Sequence, residues 1–394
     1  MRILHCTDTY PPQVNGVSVV TALAVDGLLA RDVAVGLVTP RYPTANSVVF
    51  AETRRPDTTL ALPAVDFPLY PGIRLAWPDR NAVERFARAF QPDLIHADTE
   101  FVVGRLGARA AQRLGIPLVT SFHTDFAQYT ASYGLPWLRG PVTRSLQRFH
   151  ARAARIFTPS SVTARWLAEH GLHQAEVWGR AVDTEVFHPR HRADHWRRRL
   201  GLGDATVFLH VGRLAAEKNI GLLLSGFARA RRSLGDGARL VIAGDGPAAP
   251  ALRRWAPEGT VFLGFINRER DLPALYAMAD AFLCASTTET LGLVILEAMA
   301  SGLPVAAVSA GGVADHLRHL QNGIACSPDA SSFAAAIRHL TDDRDRRLRM
   351  GTAARSWAVA IGWERELDRL VESYREVLVQ NGLRRRVPRP GAAA

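Results

Sequence analysis

The stretch Thr287-Thr288-Glu289-Thr290-Leu291-Gly292-Leu293-Val294-Ile295-Leu296-Glu297-Ala298-Met299-Ala300-Ser301-Gly302-Leu303-Pro304 follows the short apolar run Ala281–Cys284 and leads into another, Pro304–Val308. Its centre is a helix over Leu291–Ala300, which Gly302 and Pro304 stop abruptly. Strand, helix and strand in that order make a parallel crossover unit. Thr287 and Thr288 are expected to cap the helix, aiming its first backbone N–H groups at whatever lies in front. A helix N-terminus draws a phosphate rather than an acid. Glu289, just outside the first turn, therefore suits the hydroxyls of a neutral polyol beside a phosphate. Both glutamates could instead sit on the wet face of an ordinary amphipathic helix. The almost wholly apolar run Gly292–Ala300 weighs against that, because it turns Glu297 toward the interior or a cleft. A carboxylate there needs a partner, such as a ribose hydroxyl pair. Sugar, diphosphate and ribose in one line describe a nucleotide-sugar.

The same alternation runs through the whole chain. Strands are expected at Arg2–Cys6, Val33–Thr39, Asp93–Ala97, Pro117–Phe122, Arg155–Pro159 and Glu176–Gly179, with helices over Val17–Arg31, Asn81–Phe90, Val103–Leu114, Val142–Ala154 and Ser161–His170 between them. Strands at Thr206–Val211, Arg239–Ala243, Thr260–Leu263, Ala281–Cys284 and Pro304–Val308 repeat the theme, with helices over Ile220–Ser233, Asp271–Ala279 and Ser331–Leu340. The fold class is α/β, with two Rossmann-like domains facing across a cleft. They are expected at residues 1–180 and 204–358, joined by the polar Ala181–Gly203 stretch acting as a hinge.

At 394 residues, 47% hydrophobic and 22% charged, the composition is that of a globular protein with two ordinary cores. No apolar run reaches bilayer length and the first residues form no signal peptide, so a cytoplasmic location is expected. Cys6, Cys284 and Cys326 lack metal-ligand spacing and suit inert core thiols. The net charge of +11 points to an anionic partner, yet no nucleic-acid module accompanies it. Five arginines between Arg139 and Arg155 lie among Trp137, Leu138 and Phe149, a mixture that suits an anionic membrane surface or equally a solvated basic face. Further clusters are His188–Leu200 and a tail over residues 381–394, expected to be disordered.

Strand ends carry the remaining candidates. Gly16 opens the first long helix, where backbone can approach a phosphate. His123, with Asp125 near it, follows the strand ending at Phe122 and faces the cleft. Arg213 and Lys218 flank a loop feeding a helix, a diphosphate clamp. Gly244-Asp245-Gly246-Pro247 is a turn at the same edge, and backbone around Phe265 and Ile266 could meet a nucleobase. Asp343-Arg344-Asp345 sits in a charge run, and no metal or other cofactor is expected.

Together, Gly212-Arg213…Lys218, Gly244-Asp245-Gly246-Pro247 and Glu289-x7-Glu297 resemble the family-4 retaining glycosyltransferases of GT-B fold. Phe122-His123-Thr124-Asp125, Tyr133-Gly134-Leu135, Phe149-His150 and Val177 to Thr184 resemble the GDP-mannose-dependent α-mannosyltransferases that glycosylate membrane lipids, with the sulfoquinovosyl- and glucuronosyl-diacylglycerol synthases close by. The resemblance implies catalytic roles for His123, Arg213, Lys218 and Glu289. It implies a donor site of Gly16, Gly212, Arg213, Lys218, Gly244, Phe265, Ile266, Glu289, Gly292, Leu293 and Glu297, with Glu297 on the ribose. Asp125 and Tyr129 are acceptor-side candidates. The family's C-terminal helix crosses back onto the first domain, which residues 363–380 fit. Asp125 and Ala181 depart from the mannosyl pattern, which usually has Asn and Gly there.

The expected reaction is metal-independent, retaining transfer of mannose from GDP-mannose to a lipid or glycolipid at the inner membrane face. A UDP-sugar-dependent diacylglycerol glycosyltransferase is the alternative; a nucleotide-sugar epimerase and a silent membrane adaptor come after it.

Overall fold

The computed structural model describes residues 1–13, 15–43, 56–66, 74–123 and 135–386. Strands β1 (Arg2–Cys6), β2 (Ala34–Pro40), β3 (Thr58–Leu62), β4 (Ala64–Asp66), β5 (Arg74–Ala76), β6 (Leu94–Ala97), β7 (Leu118–Ser121), β8 (Arg155–Thr158) and β9 (Ala175–Val177) belong to the first half. All but the antiparallel β4–β5 pair join one parallel sheet in the order β3-β2-β1-β6-β7-β8-β9. In the second half, β10 (Thr206–Val211), β11 (Ala238–Ala243), β12 (Thr260–Gly264), β13 (Ala281–Cys284), β14 (Val305–Val308) and β15 (Gly323–Cys326) form a second sheet ordered β12-β11-β10-β13-β14-β15. In both sheets the order reverses beside the first strand. Ile3 pairs with Val35 on one side and Leu94 on the other, and Phe208 likewise lies between Leu240 and Ala281. A ligand crevice opens at such reversal points, beyond the carboxyl ends of the strands.

Burial explains why the runs are so apolar. Every residue of β6, β7, β13 and β14 is buried, as parallel strands covered on both faces must be. One continuous apolar cluster runs from Ile3 and Leu28 through Trp178, Phe187 and Trp196 to Phe282 and Leu296. The stretch between β9 and β10 is therefore no bare polar connector. Its arginines stitch it to the second sheet: Arg197 lies 3.1 Å from Asp280, and its Nη2 donates to the Ala205 carbonyl at 2.6 Å.

The helix Trp363–Arg386 lies against the first sheet. Arg31 Nε bonds Asp368 at 2.8 Å, Trp178 Nε1 donates to the Glu366 carbonyl at 2.7 Å, and Tyr374, fully buried, meets His96 Nδ1 at 2.7 Å. This helix corrects the expected tail. It continues through Arg386 rather than ending near 380, because nothing before Pro388 breaks it. Among the described residues, side-chain hydrogen bonds also join the halves across the cleft at Asp315 and at Thr290. The Asp315 carboxylate accepts from Ser161 N at 2.7 Å and Ser161 Oγ at 2.5 Å while pairing with Arg180 at 3.2 Å. Thr290 Oγ1 donates to the His123 carbonyl at 2.5 Å.

Candidate active site

The loops after β10 and β13 meet at the second sheet's reversal point. Beyond β10 the chain turns at Gly212, passes Arg213, makes a single 3-10 turn over Ala216–Lys218 and enters the helix Ile220–Leu234. Beyond β13 it runs through Ser286 to Glu289. Lys218 Nζ donates to Glu289 Oε1 at 2.5 Å, both side chains being largely buried. Burial works to raise the Glu289 carboxyl, but the charge and hydrogen bond of Lys218, with Ser286 and His210, outweigh it and hold it below its usual range. Glu289 is thus a carboxylate, an acceptor for hydroxyls, beside a cation.

The expected Thr287 or Thr288 cap is not formed. Thr288 is occupied with Ser286, and the helix begins later, at Leu293, with Gly292 as its N-cap and no side-chain cap bond. Gly292 adopts φ 73°, a left-handed turn that a threonine would strain. No side-chain hydroxyl therefore takes the first-turn N–H groups of this helix. The loop after β14 packs flush beneath: Gly312 N donates to the Glu289 carbonyl at 2.6 Å, and a Cβ at Gly311 would lie 2.3 Å from that oxygen.

Glu297 is buried, and both its oxygens are engaged. Arg268 Nη2 lies 2.6 Å from Oε1 and Tyr276 OH donates to Oε2 at 2.9 Å. Burial raises its carboxyl above the usual value, and Arg268 and Tyr276 only partly offset that. Neither partner was anticipated. A buried mid-helix acid demands some partner, but only the tertiary path shows that the loop after β12 and the helix Leu272–Met278 supply it. Phe265 (68% exposed) and Ile266 (partly buried) stand on that same loop. Gly244 N donates to the Gly264 carbonyl at 2.7 Å, holding the ends of β11 and β12 together.

The first half supplies the facing wall. Asn15 caps the helix Gly16–Leu29 reciprocally with Ser18, which sets Gly16 at its start. A Cβ built there meets no atom within 4 Å, so packing within the protein does not require a glycine. His123, just beyond β7, is tied through its carbonyl to Thr290, which brings it to the Glu289 loop. Burial lowers its imidazole below the usual value, and His150 adds to this, against the opposing pull of Asp98 and Glu100. A neutral His123 can orient hydroxyls but carries no full charge, which narrows the role expected of it. Asp125 and Tyr129 lie outside the described residues.

His5, His96 and Asp98 place potential ligand atoms within 4.8 Å of one another. Both ring nitrogens of His96 are already bonded, to Tyr374 and Ser121 at 2.7 Å each, and His5 Nδ1 meets Asp98 at 3.0 Å. The cluster joins β1, β6 and β7 to the C-terminal helix. Asp343 caps the helix Arg344–Ala360, as a charge run at a helix start would.

Residues 14–186 match Glycosyltransferase Family 4, and residues 193–357 match Glycosyl transferases group 1. The chain is 32% identical over 388 residues to the GDP-mannose-dependent alpha-mannosyltransferase of Mycolicibacterium smegmatis, covering 98% of this chain and 100% of that protein. It belongs to the family-4 glycosyltransferases of GT-B fold. The alpha-monoglucosyldiacylglycerol synthase of Streptococcus pneumoniae is 30% identical over 321 residues, 78% of this chain and 71% of that one. Among solved structures, Anabaena Alr3699/HepE in complex with UDP superposes with a TM-score of 0.75 at 20% identity, over 95% of this chain and 100% of that chain, a likeness of fold. As a glycosyltransferase, the protein has its two sheets where the fold requires them, with the Lys218–Glu289 pair at the edge of one and His123 at the edge of the other.

Proposed function

We propose that the protein is a retaining, metal-independent hexosyltransferase that moves mannose from GDP-mannose to a lipid or glycolipid acceptor at the cytoplasmic face of a membrane. The observation that carries this reading is the Lys218–Glu289 pair, set beside an uncapped helix start and linked through Thr290 to His123. A donor entering the cleft exchanges that ion pair for its own contacts. Arg213, Lys218 and the N–H groups at Gly292 and Leu293 take the diphosphate, while Glu289 takes the sugar hydroxyls. Glu297 takes the ribose, and Gly16 lets the diphosphate pass close to backbone. As the C1–O bond breaks, its electron pair goes to the diphosphate. The acceptor hydroxyl forms the new bond from the same face and passes its proton to the leaving phosphate oxygen. His123, neutral, orients the sugar.

The similarity to the GDP-mannose-dependent alpha-mannosyltransferase of Mycolicibacterium smegmatis supports mannose as the sugar, and a basic surface supports the membrane face. Trp137 is 70% exposed just before the helix Arg139–His150, which carries Arg144 and Arg148 with Arg152 following it. No helix among the described residues is long and apolar enough to cross a membrane. The pneumococcal relative favours a second reading, transfer from a UDP-sugar to diacylglycerol. Incubation with GDP-mannose or UDP-glucose and lipid vesicles, with and without chelator, separates these readings by the diphosphate released and the product anomer. An α-mannolipid formed in chelator supports the proposal. Conversion of donor to an epimer without acceptor would replace it.

A further inference from the structure

Arg268 and Tyr276 hold Glu297 from two different elements yet rest on one ring. The Arg268 guanidinium lies 4.9 Å from the centroid of Phe187, and Tyr276 meets the same ring edge-on at 5.6 Å. Phe187 is fully buried in the stretch joining the two sheets. Each Glu297 oxygen receives one protein donor, Arg268 on Oε1 and Tyr276 on Oε2. A carboxylate has about four acceptor sites, so one remains on each oxygen. Two acceptors side by side match a vicinal diol.

We propose that Arg268 is a positioning residue for the nucleoside end of the donor: it fixes the Glu297 carboxylate so that its two remaining acceptor sites receive the ribose 2′ and 3′ hydroxyls, and it thereby sets a preference for ribonucleotides over deoxyribonucleotides. This rests on the donor-site reading above. Burial alone favours the neutral acid, and a protonated Glu297 would turn one of its oxygens into a donor. Arg268 opposes that as the cation acting on Glu297 among the described residues. Tyr276, pushed well above its usual range by burial and by the charge of Glu297, stays a phenol and donates. The Glu297 helix itself, Leu293–Ala300, carries no other charged side chain.

The test is a set of dissociation constants for GDP, UDP, 2′-deoxy-GDP, 2′-deoxy-UDP and pyrophosphate, measured on wild type, Arg268→Ala and Arg268→Lys. Arg268→Ala should weaken the preferred ribonucleotide about 10- to 100-fold, the worth of a charged hydrogen-bond network. It should erase the ribo-to-deoxy ratio and leave pyrophosphate binding unchanged. Its residual ribonucleotide binding should strengthen with rising pH, as Glu297 ionises. Arg268→Lys keeps the charge without the planar fork and should retain an intermediate ratio, which serves as the readout if the alanine variant does not fold. A ribo-to-deoxy ratio unchanged in both variants overturns the role of Arg268 while leaving the donor site standing. Wild type binding none of the nucleotides overturns the donor-site reading itself, and this inference with it.

Discussion

Replacing Lys218 with methionine, which keeps the stem and removes the charge, leaves Glu289 largely buried without its main cation. At about 4 Å and an effective dielectric of about 20, a unit-charge pair is worth roughly 4 kcal/mol. The observed pair is shorter, at 2.5 Å, but Lys218 remains one-fifth exposed, and solvent screening lowers its worth. A coupling of about 2–3 kcal/mol is expected, below the roughly 3–5 kcal/mol cost of stranding one member of a fully buried pair. The pH dependence has a definite sign. In the wild type the depressed Glu289 carboxyl contributes stability that is present above its unfolded value and lost as pH falls through the folded one. In Lys218→Met, burial prevails and the carboxyl rises, so stability instead falls as pH climbs from about 4 toward the raised value. The variant's deficit therefore widens with pH. Urea denaturation of wild type, Lys218→Met, Glu289→Gln and the double variant gives the coupling as a cycle. Turnover should fall at least about 100-fold in Lys218→Met, as when one stabiliser of developing charge is removed. Additivity within about 0.5 kcal/mol, together with near-normal turnover, would mean that Lys218 and Glu289 neither couple nor act on the donor.

Three further outcomes are expected. Asp315→Asn removes the charge that Ser161 and Arg180 share across the cleft. Hydrogen bonds to a charged group are worth about 1.5–3 kcal/mol, so the radius of gyration in solution scattering and the KM for donor should both rise, and constancy of both would mean that Asp315 does not hold the halves together. Gly16→Ala meets no neighbouring atom and should keep or slightly raise stability while weakening donor binding; equal affinity would remove Gly16 from the diphosphate path. Replacing Arg144, Arg148 and Arg152 together should lower sedimentation with anionic vesicles about 100-fold, at about 1 kcal/mol per arginine, whereas unchanged sedimentation would leave these residues a solvated face.

Periodicity carried the fold because buried parallel strands have little choice of composition. Phe282 and Val305, both without exposure, announce themselves as apolar runs. β3 and β15 went unseen for the opposite reason: Thr58–Leu62 and Gly323–Cys326 both lie at a sheet edge, and neither forms an unbroken run of large apolar residues. That residues following parallel strands gather at one edge was also legible. What local sequence lacks is the partner across space. Glu297 declared its need for a partner, but two arginines, Arg268 and Arg270, lie on the loop after β12, and only the packing selects Arg268. Thr288 looked like a cap because its side chain suits one; the left-handed Gly292 supplied the turn instead. The arginines of His188–Leu200 suggested an outside anion, whereas Asp280 and backbone carbonyls absorb much of their capacity. Asp315 gave no local sign of bridging the cleft.

A nucleotide-sugar bound between the two sheets, its diphosphate on Lys218 and the helix start at Gly292, is what calorimetric titration with GDP and with UDP in chelator would detect. GDP should bind, and Lys218→Met should lose that binding; a preference for UDP would shift the donor to a UDP-sugar. Binding of neither nucleotide would exclude a donor at this site.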